Sequence, residues 1–128
     1  MKEKQYIAYE GHSFTVEWYV SENGESLALD YYQSLDTGQR KKFLFLAKRM
    51  GDFGRISDKT KFNYEGDQIY AFKPHPERFL CFFIQDSKII ITNGFRKKQQ
   101  KLPQGEKERA LACRENYQRR LKEGTYYE

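Results

Sequence analysis

A chain of 128 residues with a net charge of +5 and a pI near 9.1 has room for one hydrophobic core, so a single domain over residues 1–128 is expected. Its 38% apolar and 16% aromatic content makes that core rich in Tyr and Phe rings. Excess positive charge favours an anionic partner; a polar N-terminal extension over about residues 1–11 and no apolar run of bilayer length argue against a membrane protein and for a cytoplasmic one.

Residues 13–20, Ser-Phe-Thr-Val-Glu-Trp-Tyr-Val, alternate apolar and polar, the period of a half-buried strand. After the turn Glu22-Asn23-Gly24-Glu25, the residues Ala28, Tyr31, Tyr32 and Leu35 recur at the spacing of one helix face. Asp36, with Gln39 three residues on, forms a capping box ahead of Phe43, Leu46, Ala47 and Met50, and Gly51 is the expected stop of this second helix. Residues 52–66 hold no sustained period and read as a loop. Residues 68–73 read as a strand that Pro74-His75-Pro76-Glu77 must end, because proline donates no ladder bond. The run Phe79-Leu80-Cys81-Phe82-Phe83-Ile84 is apolar throughout, which fits a central strand covered on both faces. Asp86-Ser87 then turns the chain into a strand over 88–95, completing a three-stranded meander.

Pro103 opens a helix over about 103–122, striped by Ala110, Cys113, Tyr117 and Leu121 and closed by Gly124. Tyr126 and Tyr127 beyond it are expected to fray. The order β-α-α-β-β-β-α predicts an α+β fold, with an antiparallel sheet packed on one side by helices and the first strand at an edge.

Cys81 and Cys113 stand far apart with no CxxC or Cys/His spacing and read as buried thiols. His12 and His75 are isolated, so neither a metal nor a cofactor is expected, and His75 between two prolines reads as an exposed turn residue. The sharpest feature is charge at strand ends: Lys73 closes one strand, Arg78 opens the next, and Arg96, Lys97 and Lys98 follow the last. Antiparallel neighbours return these residues to one end of the sheet. A cationic cluster of this kind suits an RNA phosphodiester, since arginine forks bind phosphate oxygens and stabilise the charge that grows as a neighbouring 2′-hydroxyl attacks phosphorus. A Lys or Tyr of shifted pKa could then move protons, and Tyr70 could stack on a splayed base. On charge alone, solvated flanks that keep a sheet soluble account better for the same residues.

Several segments together carry a resemblance: Trp18-Tyr19-Val20, Ser34-Leu35-Asp36, Met50-Gly51-Asp52-Phe53-Gly54, Ile69-Tyr70-Ala71-Phe72-Lys73, Arg78-Phe79-Leu80-Cys81-Phe82-Phe83, and Asn93-Gly94-Phe95-Arg96-Lys97-Lys98-Gln99-Gln100-Lys101-Leu102-Pro103. Over most of its length the chain resembles the phage-derived, Gp49-like branch of the RelE/ParE toxin superfamily, to which HigB toxins belong. The resemblance implies a RelE-like microbial RNase fold and a type II toxin–antitoxin toxin that cuts messenger RNA in the ribosomal A site without a metal. It also implies a cognate helix-turn-helix antitoxin as partner. Carried over by position, Arg78 and Arg96 contact the scissile phosphate, Lys73 is a basic position on the preceding strand, and Lys97, Lys98 and Lys101 hold messenger or ribosomal phosphate. Asn93 stands where many relatives have His, Ala71 where an acidic residue is common, and Cys81 where Tyr is usual, which leaves the general base unassigned. Two alternatives share the same fold: a ParE-like inhibitor that binds DNA gyrase, and an inactive prophage remnant.

Overall fold

In the computed structural model, which describes residues 6–127, six strands and three helices follow one another as β1 (Ile7–Glu10), β2 (Thr15–Trp18), α1 (Leu27–Ser34), α2 (Thr37–Phe53), β3 (Phe62–Tyr64), β4 (Tyr70–Phe72), β5 (Glu77–Ile84), β6 (Lys88–Arg96) and α3 (Gln104–Glu123). The strands form one sheet in the order β1-β2-β6-β5-β4-β3. The α+β class stands, but the sheet is mixed: β2 runs parallel to β6, from Thr15 beside Lys88 to Trp18 beside Ile91, while every other pair is antiparallel.

Two further strands modify the expected order. Residues 1–5 of the polar N-terminal stretch lie outside the described residues, but Ile7–Glu10 form β1, which takes the edge position expected for the strand at 13–20 and leaves β2 inside the sheet. At four residues with an exposed–half-buried–exposed pattern, β1 is too short to show a period of two in sequence. β3 lies in the stretch read as loop and extends the meander to four strands. Its three residues owe their conformation to pairing with β4 rather than to their own pattern.

Helices cover both faces of the sheet, not one. On one face α1 and α2 bury Ala28, Phe43, Leu46 and Met50 against Trp18, Phe72, Phe79 and Ile91. On the other, α3 buries Ala110, Cys113 and Tyr117 against Ala71, Leu80, Phe82 and Ile90. This sandwiching is why β5 is apolar at successive positions: Phe79 and Cys81 face one helical layer, Leu80 and Phe82 the other.

Helix α2 begins where expected, with the Asp36 side chain accepting from Gln39 N at 2.8 Å, but it continues through Gly51 to Phe53 and stops at Gly54, whose φ of 78° is the left-handed C-cap conformation. Gly51 serves close approach instead: its carbonyl accepts from Ser13 N at 2.7 Å and Phe14 N at 2.9 Å, and a Cβ there would lie 2.8 Å from the Tyr9 ring. In α3, Arg120 rather than Leu121 completes the buried stripe, and Leu121 is 43% exposed. The Arg120 guanidinium donates to Val20 O at 2.8 Å and lies 4.6 Å from the Tyr126 ring centroid. The tail after Gly124 is packed down rather than frayed. Val20 N donates to the buried Tyr126 hydroxyl at 2.8 Å, and Tyr127 donates to Glu17 Oε1 at 2.7 Å.

Candidate nucleic-acid interface

The end of the sheet where β4 finishes and β5 begins carries the expected charge, and the ladder sorts it by face. Side chains alternate along a strand, so Arg78, which precedes Phe79, shares the α3 face with Leu80 and Phe82. Lys73, one residue beyond β4 and two beyond Ala71, continues the same face. Arg78 stands opposite Phe95 and Glu77 opposite Arg96, which puts Lys97, two residues past Phe95, back on the Arg78 side. Two backbone bonds fix the frame: Lys97 N donates to Pro76 O at 2.7 Å, and Lys73 N to Lys61 O at 2.8 Å.

The result is a cleft of about 460 Å³ lined by Lys59, Lys61, Lys73, Arg78, Lys97 and Gln100, with the Pro76 turn as one wall and Glu77, paired with Arg96, as its one carboxylate among the described residues. Arg78 forms its floor. It is 4% exposed, its Nη2 donates to Gln100 O at 3.0 Å, and its buried Nε has no hydrogen-bond partner among the described residues. An unmatched buried donor costs on the order of 1–3 kcal/mol. A phosphate oxygen entering the cleft would supply the missing acceptor.

Lys73 is half-buried beside this guanidinium. Burial holds its pKa below the usual lysine value, and repulsion from Arg78 and Lys97 adds to the effect, against the opposing pull of Glu65, whose carboxylate is 4.0 Å away. A lysine of depressed pKa gives up and takes back a proton more readily near neutrality than an ordinary one. The cleft therefore combines a fixed fork for phosphate, several further cations and one tunable ammonium.

Not every expected residue converges here. Arg96 lies on the opposite face, 3.5 Å from the buried carboxylate of Glu77. Glu77 also accepts from the Tyr31 hydroxyl and, at 3.2 Å, from Gln39; burial and then this bond push the Tyr31 hydroxyl well above its usual pKa. Arg78 and Arg96 therefore lie on opposite faces of the sheet, whereas the resemblance implies that both contact the scissile phosphate. Tyr70 also turns away from the cleft, into a cluster of rings with centroids 5.0 Å from Tyr64, 5.0 Å from Phe83 and 5.7 Å from Phe62. Lys98 and Lys101 are exposed on the segment that leads from β6 to α3.

His75 is exposed on the turn, as expected of a residue between prolines, and lines the rim of the cleft. The three positions at which the resemblance breaks are packed inward. Ala71 and Cys81 are fully buried, and Asn93 is 2% exposed with its amide donating to Glu106 Oε1 at 2.9 Å. Both cysteines are buried and free, and burial pushes the Cys113 thiol up to about 11. Among the described residues no group of three His, Cys, Asp or Glu side chains is arranged to hold a metal ion, and no helix is long and apolar enough to cross a membrane.

Sequence reasoning missed Lys59 and Lys61 because they lie in a stretch without periodicity; the tertiary pairing of β3 with β4 carries them to the cleft. No curated protein matches the sequence. A family model described as phage derived protein Gp49-like (DUF891) matches residues 30–115, a span that runs from α1 into α3 and includes every cleft residue named above. Since the match covers well over half of the chain, the protein belongs to the family of phage-derived Gp49-like proteins.

Proposed function

We propose that this chain is a toxin of the RelE/ParE superfamily, HigB-like in type, that binds messenger RNA in the Arg78 cleft and cleaves it on the ribosome, and that a cognate helix-turn-helix antitoxin restrains it. The observation that carries the reading is the buried Arg78 guanidinium, whose unpartnered Nε sits among Lys59, Lys61, Lys73 and Lys97. A phosphodiester satisfies that donor and that charge together. RNA supplies its own nucleophile: the 2′-oxygen attacks phosphorus, the 5′-oxygen leaves, and Arg78 stabilises the charge that builds on the non-bridging oxygens. Lys73, half-buried with its pKa below the usual lysine value, is a group placed in the cleft for proton transfer, and Lys97, Lys98 and Lys101 hold flanking phosphates. Membership of a phage-derived family is compatible with such a toxin.

The test is brief induction in cells followed by mapping of new 5′ ends on translated messages, for wild type, Arg78→Ala and Arg78→Lys, with translation running and blocked. Cuts that require translation and vanish in Arg78→Ala support the proposal. Intact messages with arrested growth would sink it in favour of binding to a protein target such as gyrase. Intact messages with normal growth would leave an inactive remnant.

A further inference from the structure

The outward face of α2 carries a feature that the fold does not explain. Lys41, Phe45, Arg49 and Phe53 follow one another at four-residue spacing, which places them in one row along the helix. Phe45 is 59% exposed and Phe53 68% exposed, the two most exposed large apolar side chains among the described residues. The Arg49 guanidinium sits between them, 5.8 Å from the Phe45 centroid and 5.9 Å from that of Phe53. Phe45, Arg49 and Phe53 each offer a flat face.

This row borders a groove of about 630 Å³ between α2 and the segment leading into β3, lined by Lys41, Lys42, Phe45, Arg49, Ile56 and His75. Lys61 and His75 line both this groove and the Arg78 cleft, so the two sites are neighbours at this end of the sheet. Its single carboxylate, Asp58, is engaged in its own loop, where it accepts from Thr60 N at 2.9 Å and Thr60 Oγ1 at 2.7 Å. Cations along a groove with exposed flat groups at one wall are the combination that binds an unpaired nucleic-acid strand, phosphates on the cations and bases on the rings.

We infer that the α2 groove is a second subsite for single-stranded RNA, in which Phe45 and Arg49 stack unpaired bases a few nucleotides along the strand from the phosphate held by Arg78. The inference rests on the reading of the Arg78 cleft as an RNA site and adds to it a requirement for strand length. A ligand confined to the cleft does not feel the groove; a strand that passes His75 does. The subsite reads ring faces rather than base edges, so it favours unpaired over paired RNA with little regard to sequence.

The test uses uridine oligonucleotides methylated at every 2′-oxygen, which lack the nucleophile and stay intact, in a trinucleotide and a dodecanucleotide form. Fluorescence anisotropy measures their binding to wild type, Phe45→Leu, Phe45→Trp and Arg78→Ala. Phe45 is largely exposed, so the substitutions there leave folding intact. The longer strand is expected to bind wild type more tightly than the shorter. Phe45→Leu is expected to lower affinity for the long strand about tenfold, as loss of one base–ring stack does, with the trinucleotide unaffected and Phe45→Trp retaining wild-type behaviour. Long-strand affinity unchanged in Phe45→Leu overturns the subsite and points the α2 row to a protein partner, even where Arg78→Ala weakens both strands and the cleft reading survives. Weakening of the long strand by Phe45→Leu without any effect of Arg78→Ala keeps the groove and removes the cleft. Failure of wild type to bind either strand removes both.

Discussion

Arg78 and Arg96 sit at the same sheet end in neighbouring strands, yet they have different surroundings and should answer differently to mutation. Arg78 is buried with an unmatched donor in a cationic cleft; Arg96 is largely exposed and meets the cleft only through Glu77, one residue from Arg78. Arg78→Ala is expected to lower single-turnover cleavage by about 10²–10³-fold, the usual cost of deleting one donor to a charge that grows in the transition state. Arg96→Ala is expected to cost less than about tenfold, with a stability loss near 1 kcal/mol from an ion pair whose cation is largely exposed. Rapid-quench kinetics and urea denaturation on the two variants check both; equal kinetic losses would return Arg96 to the phosphate. The basic residues themselves were legible because they flank a proline turn and a strand end, whereas their division between two faces was not. That division depends on the pairing of Arg78 with Phe95, which follows an irregularity in the β5–β6 ladder between Leu80 and Cys81, and a bulge of one residue leaves no mark in the apolar pattern of these strands.

Lys73 makes a second prediction at this scale. Its pKa lies below the ordinary lysine value in the folded protein, and its protonated form is the one that attracts phosphate. RNA affinity should therefore fall as pH rises through that depressed value, earlier than for an exposed lysine, and binding should take up a proton there because the phosphate restores the charged form. Lys73→Arg stays charged and should flatten the profile. Anisotropy titrations across the alkaline range decide it: identical profiles for the two proteins would remove Lys73 from the ligand.

Among the elements, α3 and the tail after it form a latch whose polar contacts are concentrated in tyrosines. Tyr117 and Tyr126 are buried, the Tyr117 and Tyr127 hydroxyls lie 2.8 Å apart, and Tyr127 reaches Glu17, which also pairs with Lys88 at 3.3 Å. Burial pushes the Tyr117 hydroxyl up to about 12, and Tyr126 and Tyr127 are raised further. A phenol with a raised folded-state pKa is held neutral by the fold, so its contribution is complete below the ordinary value of 10.0 and is lost as pH climbs toward 12. The protein should thus lose stability steeply above about pH 10, and Tyr126→Phe, which removes the acceptor for Val20 N, should shift the onset of that loss. Thermal melts at stepped alkaline pH measure it; a wild-type Tm insensitive to pH in that range would contradict the latch. Tyr117→Ala, which empties the centre of the α3 face, should cost about 3–5 kcal/mol.

What sequence showed of these elements follows the strength of their periods. α2, α3, β5 and β6 stood out because each repeats an apolar pattern over many residues, while β1 and β3 are too brief to do so and exist by pairing. The glycine of the Asn93-Gly94-Phe95 segment looked like a motif letter and proves to be a packing requirement. A Cβ on Gly94 would stand 2.7 Å from the Phe79 ring and 2.8 Å from that of Tyr31, so Gly94→Ala should push α1 off β6 at a cost of about 1–3 kcal/mol.

At the scale of the whole molecule, the net charge of +5 is less telling than its placement. The Arg78 cleft and the α2 groove form a basic tract whose two parts share Lys61 and His75, while Glu77, the carboxylate that lines the cleft, is buried and paired with Arg96. A composition count cannot show that arrangement, because it arises where β3, the Pro76 turn and α2 meet. The tract's consequence is a salt dependence out of proportion to the modest net charge. Each phosphate neutralised on a single strand adds about 0.7 to the steepness of log affinity against log salt. Replacing Lys59 and Lys61 together with Gln should therefore flatten that slope by about 1.4 if each holds one phosphate, whereas the same double replacement at Arg119 and Lys122, on the far part of α3, should leave it unchanged. Both doubles remove two positive charges, so equal flattening would mean that the protein attracts RNA through its overall charge, and flattening confined to the first would place the strand in the tract.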